Sequence, residues 1–135
     1  MAPLRSVHDS TTQLVLQTTD AYERSAKECL ARWDKRRHRR PPLLVEWLQY
    51  LPAGANLLDL GCGGGQDAGD LVRRGYRIVG VDRTSALLSA GRRRYPSLPL
   101  VRADLRSLPF HVLSFDGLWA AASLMHFPKQ EARRI

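Results

Sequence analysis

Two acids flank a group of closely spaced glycines in one short segment of this 135-residue chain, and their spacing is its clearest chemical signal. Residues 57–67 have the sequence LLDLGCGGGQD, in which apolar residues lead to Asp59 and a glycine-rich turn follows at once. A second apolar run ends at Asp82. The order strand, glycine loop, helix, strand and acid is typical of an α/β sheet that holds an adenosine-bearing ligand.

The loop spacing discriminates between such ligands. A dinucleotide fingerprint requires glycine at position 66, which is Gln, and a P-loop requires Gly-Lys-Ser/Thr where this chain has Gln66-Asp67. Acids at the strand end and at the helix start would repel a pyrophosphate and would suit a cation. S-adenosylmethionine carries a sulfonium and an ammonium and has no phosphate, so it is the ligand that these residues favour.

With these residues the chain resembles the class I S-adenosylmethionine-dependent methyltransferases, of the branch that acts mostly on small molecules. The resemblance covers roughly residues 40–135. It is specific because four segments occur in the family's order and spacing: LLDLGCGGGQD (57–67), IVGVDRTSALL (78–88), VRADLRSLPF (101–110) and FDGLWAAASLMHFP (115–128).

The resemblance implies an α/β fold, a three-layer Rossmann-like methyltransferase core. Periodicity and turn residues predict strands at 56–60, 77–82, 100–103 and 115–121, and helices at 19–38, 43–51, 66–74, 84–95 and from 128 or 129 onward. Residues 1–10 are expected to be disordered or loosely attached. We predict two regions, an N-terminal helical segment (1–42) and the cofactor-binding domain (43–135).

Similar methyltransferases have seven strands, and only four are predicted here, in the parallel order 3-2-1-4. We therefore expect a core whose C-terminal strands are missing, either because the chain is truncated or because a second chain completes the sheet. Strand four would then be an apolar edge, which invites self-association.

The same resemblance implies the cofactor contacts. Gly61, Gly63 and Gly65 would let the backbone approach the methionine part, with Asp59 near its ammonium and Asp67 as a weaker candidate whose alternative role is an acid in the first helical turn. Asp82 would accept hydrogen bonds from both ribose hydroxyls. Arg83 would stack on the adenine, Asp104 would accept from its amino group, and the Leu105 N–H would donate to its ring. Cys62 and Ala120 complete the predicted set.

The sequence says less about the residues that would bind the methyl acceptor. His126 lies where similar small-molecule enzymes often carry histidine, and it could act as a general base or simply pack beside the cofactor. Nucleic-acid amino methyltransferases often have an acid or Asn, then Pro-Pro and an aromatic residue, where residues 120–123 are Ala-Ala-Ala-Ser. The resemblance therefore implies a small-molecule acceptor and makes a nucleic-acid partner unlikely.

Length and composition limit the domain number, the location and the metal content that we expect. The chain is long enough for one domain with a modest core, has no apolar run of membrane-spanning length, and does not begin like a signal peptide. Cys29 and Cys62 are the only cysteines and have no metal-ligand spacing, so a cytoplasmic location without a metal is the simplest expectation.

Three other interpretations stay open. The net charge is +8, and a basic run at residues 32–40 could bind RNA phosphates, although a solvated helix end explains it as well. The chain could also bind the cofactor without catalysis. A nicotinamide-binding domain is a distant further option, because Gln66 interrupts its fingerprint.

Overall fold

A computed structural model describes residues 7–36 and 43–135. Its centre is a four-stranded sheet of β1 (Asn56–Leu60), β2 (Arg77–Asp82), β3 (Leu100–Arg102) and β4 (Gly117–Trp119). All pairs are parallel and the order is β3-β2-β1-β4, with Leu58 opposite Val79 on one side and Leu118 on the other. This confirms the predicted fold class and strand order.

Both faces of the sheet are covered, so every residue of β1 after Asn56 is buried. Leu57 lies in a cluster with residues of the helices α2 (Leu43–Leu48), α3 (Gln66–Arg73) and α4 (Ser85–Arg94). Leu58 and Leu60 point the other way, toward Leu105 and Phe127. That second layer is formed by the segment after β3, by a 3₁₀ turn (Leu124–His126), and by Phe127 and Ile135, which lie on either side of the short helix α5 (Lys129–Ala132).

The first helix differs from the prediction. Helix α1 spans Val7–Arg36, so it begins well before the predicted residue 19 and includes residues that were expected to be disordered. The backbone is non-helical at Ser25 (φ −114°, ψ 16°), so two helical stretches meet at a kink. The first stretch is rich in threonine, which has a weak helix propensity, and the burial of Thr11 and Val15 shows that packing overrides it. The predicted end at residue 38 lies outside the described residues.

Three further elements are shorter than predicted. Strand β4 covers 117–119 rather than 115–121, since only Gly117, Leu118 and Trp119 pair with β1. Strand β3 ends one residue early, at Arg102, and α2 ends at Leu48 rather than residue 51. Within the described residues β4 pairs only with β1, and Leu118 is half exposed. Self-association through this edge stays a prediction.

None of the helices in the described ranges is both long enough and apolar enough to cross a membrane.

Candidate functional site

A cavity of about 400 Å³ opens at the carboxyl ends of β1 and β2, where the strand order reverses between β1 and β4. Ligands of open α/β sheets bind at this position. Helix α1 forms the opposite wall through residues that include Val15, Tyr22 and Trp33. The cavity is therefore enclosed by segments from both ends of the chain.

Ten of the twelve sequence-predicted site residues line this cavity: Asp59, Gly61, Cys62, Gly63, Asp67, Asp82, Arg83, Asp104, Leu105 and His126. The structure does not bring Gly65 and Ala120 to the wall. Gly65 precedes α3 with a φ of 77°, and its α-carbon faces Leu98, Leu100 and Tyr95. Beyond β4 the wall is formed by residues 121–123 instead of Ala120.

The glycine loop is required by its own packing as well as by any ligand. Gly61 and Gly63 have φ values of 75° and 57°, which L side chains rarely adopt. A Cβ on Gly61 would overlap the Cβ of Ser123, and one on Gly63 would lie 3.1 Å from Cζ3 of Trp33. The loop is thus packed closely against α1 and the segment after β4.

Asp82 organises the floor of the cavity. Its Oδ2 accepts a hydrogen bond from the Gly63 N–H (2.9 Å), and its Oδ1 accepts one from the Thr84 N–H (2.8 Å). An ionised carboxylate offers about four acceptor positions, so both oxygens can still accept from a ligand. Asp82 therefore links the glycine loop to the start of α4 and can bind hydroxyls in the cavity as well.

Asp59 and Cys62 are buried in the wall and are 3% and 7% exposed. Burial, and secondarily the charges of Asp59 and Asp82, raises the pKa of the Cys62 thiol well above its ordinary value. The thiol therefore stays protonated near neutral pH, and Cys62 serves as a small wall residue rather than as a nucleophile.

Asp67 has a structural partner. The Trp119 indole N–H donates to its Oδ2 at 3.0 Å, which joins the first turn of α3 to β4. Trp119 also packs on Trp47 of α2, with ring centroids 5.3 Å apart. This contact supports the structural alternative for Asp67, although the residue also lines the cavity.

Asp104 lies between two guanidinium groups. Arg106 donates from Nη2 (2.7 Å) and Nε, and Arg83 pairs with the same carboxylate. The hydrogen bond from the Arg106 side chain is the main cause that lowers the pKa of Asp104. Arg83, predicted to stack on an adenine, is held at Asp104 instead in this arrangement.

His126 contacts α1 across the cavity. Its Nε2 lies 3.1 Å from the hydroxyl of Tyr22, and the two rings pack edge-to-face with centroids 5.5 Å apart. Tyr22 in turn lies 6.0 Å from the ring of Trp33. Tyr22, Trp33 and the buried Ala26 lie on the face of α1 that packs inward.

Sequence analysis missed two buried polar residues in the wall. Gln66 and Ser123 are 4% and 6% exposed, and within the described residues Nε2 of Gln66 and Oγ of Ser123 have no hydrogen-bond partner. Buried polar atoms are nearly always paired, so a ligand is a natural partner for both. In the sequence, Gln66 stands out only because it interrupts the dinucleotide fingerprint.

A third missed residue, Glu23, fixes α1 in place. Its carboxylate oxygens accept from the backbone N–H groups of Ser85 (2.5 Å) and Ala86 (2.9 Å) at the start of α4. The side chain of Thr84, which precedes α4, makes no cap hydrogen bond of its own. No local pattern in the sequence could have revealed a cap that is supplied from 62 residues away.

The chemistry of the wall fits an adenosine-bearing cation better than a phosphate ligand. Four carboxylates line the cavity (Asp59, Asp67, Asp82 and Asp104), and they can accept from hydroxyl, amino and ammonium groups. No cluster of His, Cys, Asp or Glu among residues 7–36 and 43–135 could hold a metal ion.

Comparisons with known proteins are consistent with a site for an adenosine-bearing cation. Residues 57–135 match the family described as Methyltransferase domain. Similar proteins include a tRNA (carboxymethyluridine(34)-5-O)-methyltransferase of Saccharomyces cerevisiae, 30% identical over 106 residues (78% of this chain, 37% of the relative). A 2-phytyl-1,4-naphtoquinone methyltransferase of Thermosynechococcus vestitus is 38% identical over 86 residues (56% and 36%).

Among solved structures, a TehB-like SAM-dependent methyltransferase from Corynebacterium glutamicum superposes with a TM-score of 0.64 at 25% identity, over 80% of this chain and 60% of that one. This chain spans little more than a third of the length of the two curated relatives, 37% and 36%.

Proposed function

Because the chain belongs to the methyltransferase-domain family, we propose that its cavity binds S-adenosylmethionine and that it methylates a small-molecule acceptor. The observation that carries this proposal is the convergence of Asp59, Asp82 and the glycine loop on one cavity. When bound, the cofactor supplies a methyl group that is already activated on a sulfonium. The protein then has mainly to position and enclose the reactants.

Each wall segment has a role in this proposal. Asp82 accepts from the ribose hydroxyls with the lone pairs that the loop leaves available. Asp59 compensates the ammonium charge. Asp104 and the backbone of Leu105 contact the adenine, which requires Arg83 to share or leave the carboxylate. Gln66 and Ser123 supply hydrogen bonds from buried positions.

The enclosure of the cavity supports a small acceptor. Helix α1 covers the side opposite the strands, and a volume of about 400 Å³ is within the range of small-molecule sites. Residues 121–123 are small and line the cavity. Partial exclusion of water by α1 also strengthens the electrostatic interactions inside the cavity.

Calorimetric titration of S-adenosylhomocysteine tests this proposal. We expect micromolar binding by the chain, at least tenfold weaker binding by Asp82→Asn, and unchanged binding by Asp70→Asn. Asp70 pairs with Arg73 and does not line the cavity, so it controls for the loss of one carboxylate. No binding by a folded chain would overturn the proposal. Binding without methyl transfer to any acceptor would support a non-catalytic cofactor-binding protein instead.

An RNA acceptor is the second candidate. One relative is named for a tRNA substrate, and Arg36 of the basic run lines the cavity. Residues 37–40 of that run lie outside the described ranges. Neutralising phosphates would make RNA binding fall steeply with salt, and charge reversal at Arg36, Arg37, Arg39 and Arg40 should abolish it. If reversal leaves RNA affinity intact, this candidate is wrong.

A further inference from the structure

Tyr22 of α1 and His126 of the 3₁₀ turn form a polar contact across the cavity. They are 104 positions apart in the sequence, and both line the cavity. The tyrosine oxygen lies 3.1 Å from Nε2 of the histidine. This pair therefore places a proton donor and a proton acceptor in direct contact on the cavity wall.

The proton in this pair belongs to the tyrosine. Burial is the first cause that raises the pKa of Tyr22, followed by the negative charges that Cys29 and Asp82 would place near it. A phenol that keeps its proton can donate it, and Nε2 of His126 can accept it in the tautomer whose hydrogen is on Nδ1. In that tautomer the lone pair of Nε2 is directed at the tyrosine oxygen, which itself can accept a further hydrogen bond.

The surroundings of the pair are apolar and aromatic. Trp33 lies beside Tyr22, and Met125 and Phe127 flank His126 in the cavity wall. Flat aromatic ligands pack well against such side chains, by offset or edge-to-face contact. A ring bound here would present its substituents to the tyrosine hydroxyl.

We propose that Tyr22 and His126 select an aromatic hydroxyl as the methyl acceptor and remove its proton. This inference rests on the function proposed above and specifies its substrate class. A carboxylate acceptor is already ionised near neutral pH and needs no base. A phenol, with a pKa of about 10, keeps its proton but is acidic enough to lose it to an imidazole as the oxygen reacts. An aliphatic alcohol is far less acidic.

The proton follows a defined path. The acceptor hydroxyl donates to the oxygen of Tyr22, whose own hydroxyl donates to Nε2 of His126. As the acceptor oxygen bonds to the methyl carbon, the sulfonium–methyl bond breaks and its electron pair stays on sulfur. The acceptor O–H proton passes to Tyr22, the Tyr22 proton passes to Nε2, and the resulting imidazolium later releases a proton to water.

Turnover measurements test the substrate class. The chain is supplied with S-adenosylmethionine and with phenol, catechol, 2-naphthol or benzoate, and S-adenosylhomocysteine and methylated products are quantified by mass spectrometry. We expect an aryl methyl ether from at least one hydroxyl compound and no methyl benzoate. A chain that binds S-adenosylhomocysteine but methylates none of the three hydroxyl compounds would overturn this assignment alone. A chain that does not bind it would overturn the proposed function as well.

Matched variants test the residues. His126→Gln keeps an acceptor near the Nε2 position but cannot take up a proton, so kcat should fall about 100-fold with little change in KM. Tyr22→Phe should lower kcat similarly. His111→Gln and Tyr50→Phe make the same changes at exposed positions outside the cavity and should retain full activity. Wild-type kcat in His126→Gln would show that the histidine only packs.

A spectroscopic readout does not depend on turnover. In the complex with S-adenosylhomocysteine, the ¹⁵N resonances of His126 should show the hydrogen on Nδ1 and a lone pair on Nε2. Tyr22→Phe should shift Nε2, and catechol should shift it in the wild type. A hydrogen on Nε2, or an Nε2 resonance that neither change affects, would contradict the proposed relay.

Discussion

The buried side chain of Gln66 destabilises the folded protein. It is 4% exposed, and its Nε2 has no hydrogen-bond partner among the described residues. A buried donor without a partner costs about 1–3 kcal/mol. Such a cost is compensated when a ligand accepts the hydrogen bond, so Gln66 is a residue at which binding and stability are expected to oppose each other.

Gln66→Met should separate these two effects. Methionine is similar in size and has no donor, so the melting temperature without ligand should stay equal or rise, while the affinity for S-adenosylhomocysteine should fall about tenfold. Differential scanning fluorimetry and calorimetry measure the two quantities. Gln130→Met, at an exposed position outside the cavity, is the control. A lower melting temperature with unchanged affinity would mean that Gln66 has a partner within the protein.

At the scale of elements, α1 is held to the α/β core by polar contacts at several points. Glu23 accepts from the first amides of α4, Tyr22 contacts the 3₁₀ turn, and Asp34 pairs with Arg94 at the end of α4. The first amides of a helix have no internal acceptor and carry partial positive charge. Glu23 therefore acts as a cap on a helix that is distant in sequence, and it keeps α1 over the cavity.

Glu23→Gln should destabilise the fold by about 1 kcal/mol, because an amide can accept from only one of the two backbone N–H groups and carries no charge. Urea unfolding measures this difference, and faster hydrogen exchange in α1 should accompany it. Glu28→Gln, on the exposed side of the same helix, should change neither quantity. Equal effects of the two substitutions would rule out a capping role for Glu23.

At the scale of the whole molecule, Arg106 connects segments from both ends of the chain. It pairs with Asp104, reaches the hydroxyl of Thr12 in α1 (3.4 Å) and lies 3.8 Å from Glu131 in α5. Because Arg106 lowers the pKa of Asp104 in the folded state, the pair stabilises the fold above the ordinary pKa of an aspartate. That stabilisation is lost as the pH falls through the lowered value.

Arg106→Gln should therefore lower the free energy of unfolding by about 1 kcal/mol at pH 7, a modest value because the pair is partly exposed. The difference from the wild type should shrink as the pH falls below the usual aspartate range. Denaturant unfolding over a series of pH values measures it. Arg73→Gln removes an ion pair with a more exposed arginine and should have a smaller effect. A difference that does not depend on pH would contradict the linkage to Asp104.

Several features of this protein were predictable from the sequence by itself. The bounds of β1 and β2 and the start of α3 follow from short-range patterns. The parallel sheet order and the meeting of Asp59, Asp82 and Asp104 at one cavity were implied by the family resemblance. Apolar runs of strand length, glycines that allow a sharp turn, and acids at strand ends depend mostly on neighbouring residues. Parallel strands then place their carboxyl ends at one edge of the sheet.

Only the tertiary structure decided how the cavity is closed and what its polar side chains contact. Asp67 binds Trp119, Glu23 caps α4 and Tyr22 contacts His126, across 52, 62 and 104 positions of sequence. The early start of α1 likewise depends on burial of Thr11 and Val15 rather than on helix propensity. Such contacts depend on where packing brings distant segments together, and no local pattern in a single sequence records that.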